Sequence, residues 1–169
     1  LGPFKHTVDD GLPLRKAAYQ CLDTLLDTCE GQGFDVAQML VHIRHGLNKE
    51  EVSDLQLLSY QMLTKTAHWA PHAILDICDE FSGLMMGSIK DKMKLAKASG
   101  SEEASSAAER AHSVLRAAMR CLYTVNSLPG VAEHSQFVRF WKSVNMTQQL
   151  VGVLRELLTE EKEDVASGW

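Results

Sequence analysis

Two histidine pairs have the spacing of helical metal ligands, His42-x-x-His45 and His68-x-x-x-His72. Imidazoles three or four residues apart share a helix face and can grip one zinc ion. Neither pair reads His-Glu-x-x-His, neither has a third ligand placed by motif, and Pro71 interrupts the second. The four cysteines, Cys21, Cys29, Cys78 and Cys121, form no Cys-x-x-Cys pair, and three of them fall on apolar helical faces. They read as free, buried thiols of an intracellular protein. The sequence has no Gly-rich phosphate loop and no nucleophile elbow. The expectation is a non-enzymatic chain with no metal site and no cofactor.

The segment with most recognition chemistry is "SIKDKMKLAKASGSEEASS", residues 88–106. It begins Lys-rich and ends in Gly, Ser and Glu. Extended, it would set Lys90, Lys92 and Lys94 against Ile89, Met93 and Leu95, with charge and apolar contact on different sides. Four lysines against one aspartate over 88–98 would steer it towards an acidic groove and speed association. The bland alternative is a solvated loop that binds nothing.

Positioning such a segment falls to helices. Apolar residues make up 45% of the 169 positions and aromatics only 7%, a balance that favours helices over sheets. A net charge of −5 gives no reason to propose nucleic acid as a partner. No apolar run reaches membrane-spanning length. The start, "LGPFKHTVDD", has neither a basic nor an apolar leader region and lacks an initiator Met, so the chain reads as a piece of something longer.

Steps of three and four mark the helices. Leu14, Ala18, Cys21, Leu22, Leu25 and Cys29 make one stripe after Pro13, ended by Gly31 and Gly33. Asp35 caps a second helix that Gly46 ends. "SDLQ" at 53–56 is a Ser-x-x-Gln capping box opening a helix with Leu55, Leu58, Met62 and Thr66 on one side. Pro71 opens the next, with Ile74, Leu75, Cys78 and Phe81 inward, fading at Gly83 to Gly87. Further helices are predicted near 107–126, 135–143 and 147–159, followed by a frayed acidic tail at 160–169.

One phrase recurs along these helices. "AAYQCLDT" at 17–24 returns as "AAMRCLYT" at 117–124, and "AYQCL" at 18–22 is echoed by "SYQML" at 59–63. The offset of 41 is the length of a HEAT or armadillo unit. The second gap fits one unit plus an insertion, the 88–106 stretch. Each recurrence is read as the inward helix of a two-helix repeat that cannot bury both faces alone. The predicted fold is therefore all-α, a right-handed HEAT/armadillo-type solenoid end of about three to four helix pairs. Its repeats would span about 1–33, 34–69, 70–128 and 129–159.

The run Leu1-Gly2-Pro3-Phe4-Lys5-His6, then Val8-Asp9-Asp10-Gly11-Leu12 and Arg15-Lys16-Ala17-Ala18, resembles the opening of a known domain. This is the C-terminal, TATA-binding-protein-interacting domain of the cullin-associated, neddylation-dissociated exchange factors. The likeness covers essentially the whole chain, through the Ala-Pro-x-Ala-x-Leu run at 70–75 and "RAAMR" at 116–120. It implies a large HEAT solenoid wrapped around an unmodified cullin with its RING subunit, cytoplasmic and nuclear, acting as a monomer. It further implies a hairpin that overlaps the adaptor and substrate-receptor site. By position the hairpin maps onto 87–98, with Ile89, Lys90, Lys92, Met93, Lys94 and Leu95 as contacts. The stretch has a single β-branched apolar residue and low strand propensity, which leaves hairpin, helix and mobile loop open.

In HEAT stacks an Asp before the inner helix and an Arg early in it commonly pair between neighbours. Asp9 or Asp10, with Arg15 and Lys16, are read as such a structural set. Trp69, Trp141 and Phe140 are read as core rather than partner anchors. The contrasting functional class is a generic scaffold or transport solenoid holding a peptide on its concave face.

Overall fold

The computed structural model describes residues 9–29, 33, 35–48, 52–97 and 102–167. The opening run Leu1–Val8, the predicted stop at Gly31 and the middle of the 88–106 stretch lie outside these. Among the described residues there are seven α-helices and no strand. They are α1 (Leu12–Cys29), α2 (Val36–Asn48), α3 (Ser53–Trp69), α4 (Pro71–Leu95), α5 (Glu102–Asn126), α6 (Ser135–Asn145) and α7 (Gln148–Ser167).

The helices make two layers. α1, α3, α5 and α7 lie side by side in one; α2, α4 and α6 form the other. α3 and α5, flanked on both sides and backed by the second layer, carry the most deeply buried residues, including Leu55, Tyr60, Leu115 and Leu122 at 0% exposure. The recurring phrases occupy α1, α3 and α5, all in one layer, as the 41-residue offset predicts. Met62 and Cys121 at the phrase's fifth position are fully buried. Cys21, their counterpart, is exposed.

That difference corrects two readings of α1. Its buried edge is Tyr19 and Leu26, with Leu22 packed beside them. Most of the predicted stripe faces outward instead: Leu14 is 75% exposed, Leu25 38%, and Ala18 and Cys21 are also exposed, while Leu22 and Cys29 are half-buried. Among the described residues α3 packs along α1 and Tyr19 reaches the His42 carbonyl of α2, which leaves the face carrying Leu14, Ala18 and Cys21 uncovered. Cys78 and Cys121 are buried and Cys29 is half-buried. Burial pushes the Cys121 thiol up to about 12.

Three predicted helix ends move. α2 runs through Gly46 because that glycine is a contact point: a Cβ there would meet Ser59 Oγ and the Cε1 and Oη atoms of Tyr19. α4 runs through Gly83 and Gly87, both exposed with open space around them, because Phe81, Met85 and Ile89 keep its other face buried. α7 continues through the acidic tail to Ser167, where Glu-rich composition favours helix. Arg116 of α5 also pairs with Glu156 and Glu160 there.

Some local signals act as read. Asp35 Oδ1 accepts the Gln38 N–H at 3.1 Å and caps α2. Pro71 opens α4, and Gly130 takes φ of 93° in the turn before α6. Phe140 is buried, while Trp69 and Trp141 are half-buried against the core.

Candidate partner-docking surface

The structure turns 88–95 into the last two turns of α4 and 102–106 into the first turn of α5. Neither a hairpin nor a loop forms over these residues. Two forces favour the helix. Lys, Met, Leu and Ala are strong helix formers, and Ile89 finds a buried place with 3% exposure. At the other end Glu102 and Glu103 sit in the first turn of α5, where the helix dipole stabilises them.

The helical period divides the six expected contact residues. Lys90, Lys94 and Leu95 face solvent, Met93 is half-buried, and Ile89 and Lys92 point inward. Lys92 is 5% exposed, and its Nζ donates to Ser53 Oγ at 3.1 Å. Burial lowers its pKa, against the opposing charge of Asp91. The capping box at 53–56 is therefore not formed. Val52 occupies the N-cap position without a side-chain cap bond, and the Ser53 hydroxyl serves Lys92 instead. Lys94 makes a 3.4 Å ion pair with Asp91 on the exposed side.

At the start of α1 the charged residues pair as a structural set. Arg15 donates to both oxygens of Asp9, at 3.0 and 2.6 Å, and that guanidinium holds the Asp9 carboxyl below its usual range. The link to the neighbouring unit comes from Lys16, which reaches Asp54 of α3 at 2.5 Å. Asp10 is exposed.

A groove of about 450 Å³ opens on the layer of odd-numbered helices, lined by Asp23, Gln61, Lys65, Arg116, Arg120 and Leu157 among others. Lys65 Nζ lies 2.8 Å from Asp23 and 2.7 Å from Asp27. Burial alone would lower its pKa; the two carboxylates outweigh that and raise it. These residues escape a motif search, yet they leave a signal. Lys65 and Asp23 are 42 positions apart, Arg116 and Glu160 are 44 apart, and Lys16 and Asp54 are 38 apart. Opposite charges one repeat apart mark adjacent helices of one layer.

Across the second layer, Asp79 of α4 caps α6. Its Oδ1 accepts the N–H groups of Gln136 and Phe137 at 3.0 and 2.9 Å, satisfying two donors that the helix start leaves open. Asp79→Ala is expected to cost about 1–2 kcal/mol, whereas Asp79→Asn, which keeps the acceptor, should cost far less. Chemical denaturation of the two variants measures the difference. Beside it, burial first and the Asp79 charge second push the Cys78 thiol up to about 11.

The histidine pairs at 42/45 and 68/72 do not join any three-ligand cluster among the described residues. No helix of the described residues is long and apolar enough to cross a membrane.

Comparison with known proteins gives one consistent result. A family model described as TATA-binding protein interacting (TIP20) matches residues 1–145. Cullin-associated NEDD8-dissociated protein 1 of Drosophila melanogaster is 33% identical over 153 residues, covering 89% of this chain and 11% of the relative. Cullin-associated NEDD8-dissociated protein 2 of Rattus norvegicus is 30% identical over 168 residues, covering 99% of this chain and 12% of the relative. The Arabidopsis thaliana protein 1 is 32% identical over 137 residues, covering 81% of this chain and 11% of the relative. The chain thus spans about an eighth or less of the length of these relatives.

Proposed function

We propose, since the chain belongs to the TATA-binding protein interacting (TIP20) family, that it is a non-enzymatic cullin-binding module of a substrate-receptor exchange factor for cullin–RING ubiquitin ligases. The observation that carries this reading is the match of nearly the whole chain to proteins named as cullin-associated. In this reading the module binds the N-terminal region of an unmodified cullin, with its RING subunit, in the cytoplasm and nucleus, and competes with the adaptor. The exposed end of α4 is the competing element. Lys90, Lys94 and Leu95 face solvent there, with Met93 at their side. Ile89 and Lys92 support the surface from beneath by anchoring the helix.

A cationic helix end on a chain of net charge −5 concentrates attraction in one place, so its effect falls mainly on the association rate. The test uses unmodified cullin–RING complex loaded with labelled adaptor. Adding the 169-residue chain should accelerate adaptor release. Lys90→Glu with Lys94→Glu should slow that release about tenfold while leaving helical circular dichroism unchanged. Lys92 is left out because a glutamate at that buried position would disturb the fold. Release no faster with the chain than without it would overturn the reading; release unaffected by the double substitution would remove α4 from it.

The groove beside Lys65 and Arg116 supports a second reading, a scaffold that holds a peptide on its concave face. Lys65 and Arg116 are already paired with carboxylates of neighbouring helices, so a bound acidic peptide would have to displace these carboxylates. Competition between that peptide and cullin for the chain separates the two readings.

A further inference from the structure

Cys78 Sγ, a carboxylate oxygen of Asp79 and an imidazole nitrogen of His134 lie within 4.8 Å of one another. Sulfur, oxygen and nitrogen donors are the ligand set of zinc, and three protein ligands with one open position is the arrangement of an accessible zinc site. Tetrahedral coordination needs the donors somewhat closer, roughly 3.3–3.8 Å apart by the usual zinc–ligand distances. The required closure falls on His134, whose backbone lies outside any helix at φ −89° and ψ 88°.

The surroundings suit a bound ion. Asp79 is held from behind, because its Oδ1 accepts two backbone N–H groups from the start of α6. Outer hydrogen bonds of this kind fix ligand orientation and strengthen metal binding. On the opposite side Cys78 borders a small apolar pocket with Ile74, Phe81, Met85 and Phe137, which keeps water from the sulfur. Cys78 is 3% exposed, while Asp79 and His134 are half-buried. An ion therefore has a way in from one side only.

We propose that Cys78, Asp79 and His134 form a three-ligand zinc site that ties the start of α6 to the middle of α4. Coordination forms a zinc–sulfur bond and breaks the Cys78 S–H bond, with the proton released to solvent. A water or a partner's donor takes the fourth position. The site joins α4 to the turn that opens α6, its neighbour in the same layer, so zinc would rigidify the junction between the two helices.

The test titrates Co²⁺, as a spectroscopic stand-in, and Zn²⁺ into the 169-residue chain carrying Cys21→Ser and Cys29→Ser. Those substitutions remove the exposed and half-exposed thiols. One equivalent of Co²⁺ should produce a thiolate-to-cobalt charge-transfer band with tetrahedral d–d bands, and Zn²⁺ should bleach it. One equivalent of Zn²⁺ should also raise the melting temperature. His134→Ala, on an accessible turn, should weaken zinc at least about 100-fold, more than the 10–100-fold typical of outer-shell losses. Asp79→Asn should weaken it while keeping the α6 cap and the metal-free melting temperature. Absence of the thiolate band overturns the proposal, as does a band and zinc affinity that His134→Ala leaves unchanged. His42→Ala and His68→Ala serve as controls and should change neither.

Discussion

Alanine at Gly46 is expected to destabilise the protein by about 2 kcal/mol, lowering its melting temperature by roughly 4–8 °C. Two effects compete. Within a helix, alanine gains about 1 kcal/mol over glycine. Against that, the new Cβ would press on the Ser59 hydroxyl and lie 2.9 Å from both Cε1 and Oη of Tyr19. Ser59 is fully buried, and its Oγ donates to Leu55 O at 2.8 Å. Tyr19 is equally constrained: its hydroxyl donates to the His42 carbonyl at 2.7 Å, one turn before Gly46. Neither neighbour can retreat without losing a bond, so the crossing of α2 over α3 must open. Overpacking of this kind typically costs 1–3 kcal/mol, and three close contacts place this case at the upper end. Gly83→Ala and Gly87→Ala are the internal controls. Both positions are helical and open to solvent, so each should instead gain up to about 1 kcal/mol. Thermal melts of the three variants check the change of sign. A Gly46→Ala variant as stable as the parent would mean that the helices are not in contact there.

These glycines show where sequence reasoning stops. Glycine at a helix end and glycine at a helix crossing look alike in one dimension, and only the neighbour 13 positions later explains Gly46. Likewise the helices, the repeat length and the common layer of the recurring phrase follow from periodicity, which is a local property. The outward face of α1 does not. It depends on how many neighbours a helix has, and Leu14 or Cys21 carry the same apolar character in either case. Ser53 was legible as a cap because the motif is local, yet the structure gives its hydroxyl to Lys92, 39 positions away. The candidate docking segment was recognisable by charge and by the interruption it makes in the repeat. Which of its residues face outward required knowing that it is helical. The Cys78–Asp79–His134 cluster is out of reach for the same reason, since its third member is 55 positions from its second. Charge pairs one repeat apart are the exception: once the 41-residue offset is known, Lys65 can be placed opposite Asp23 from sequence alone.

Lys92→Glu is expected to be the most damaging of the lysine substitutions, costing about 3 kcal/mol, with Lys90→Glu and Lys94→Glu close to neutral for stability. Lys92 is the one inward-facing member of the three, and a glutamate there would bury an anion beside Asp91 with no cation to meet it. Lys92→Met should do the reverse. Methionine keeps the packed stem, removes the buried charge and gives up one hydrogen bond to a serine, a trade worth about 1 kcal/mol in its favour at neutral pH. The pH dependence identifies the cause. Burial holds the folded-state pKa of Lys92 below its ordinary value, so the unfolded chain binds this proton more tightly than the folded one. The parent therefore gains stability as pH rises through the folded-state pKa towards the unfolded value near 10.4. Lys92→Met has no such proton, and its advantage should shrink over that window and be smallest above it. Lys65 titrates in the opposite sense, since Asp23 and Asp27 raise its pKa and its contribution is lost as pH rises through the folded value. It is present in both proteins and cancels in the difference. Urea denaturation of parent and Lys92→Met from neutral to alkaline pH reads that difference directly. A gap that stayed constant would assign the effect to packing rather than to the buried ammonium. The division along α4 follows from the helical period: Lys92 lies on the buried side with Ile89, which leaves Lys90 and Lys94 facing solvent.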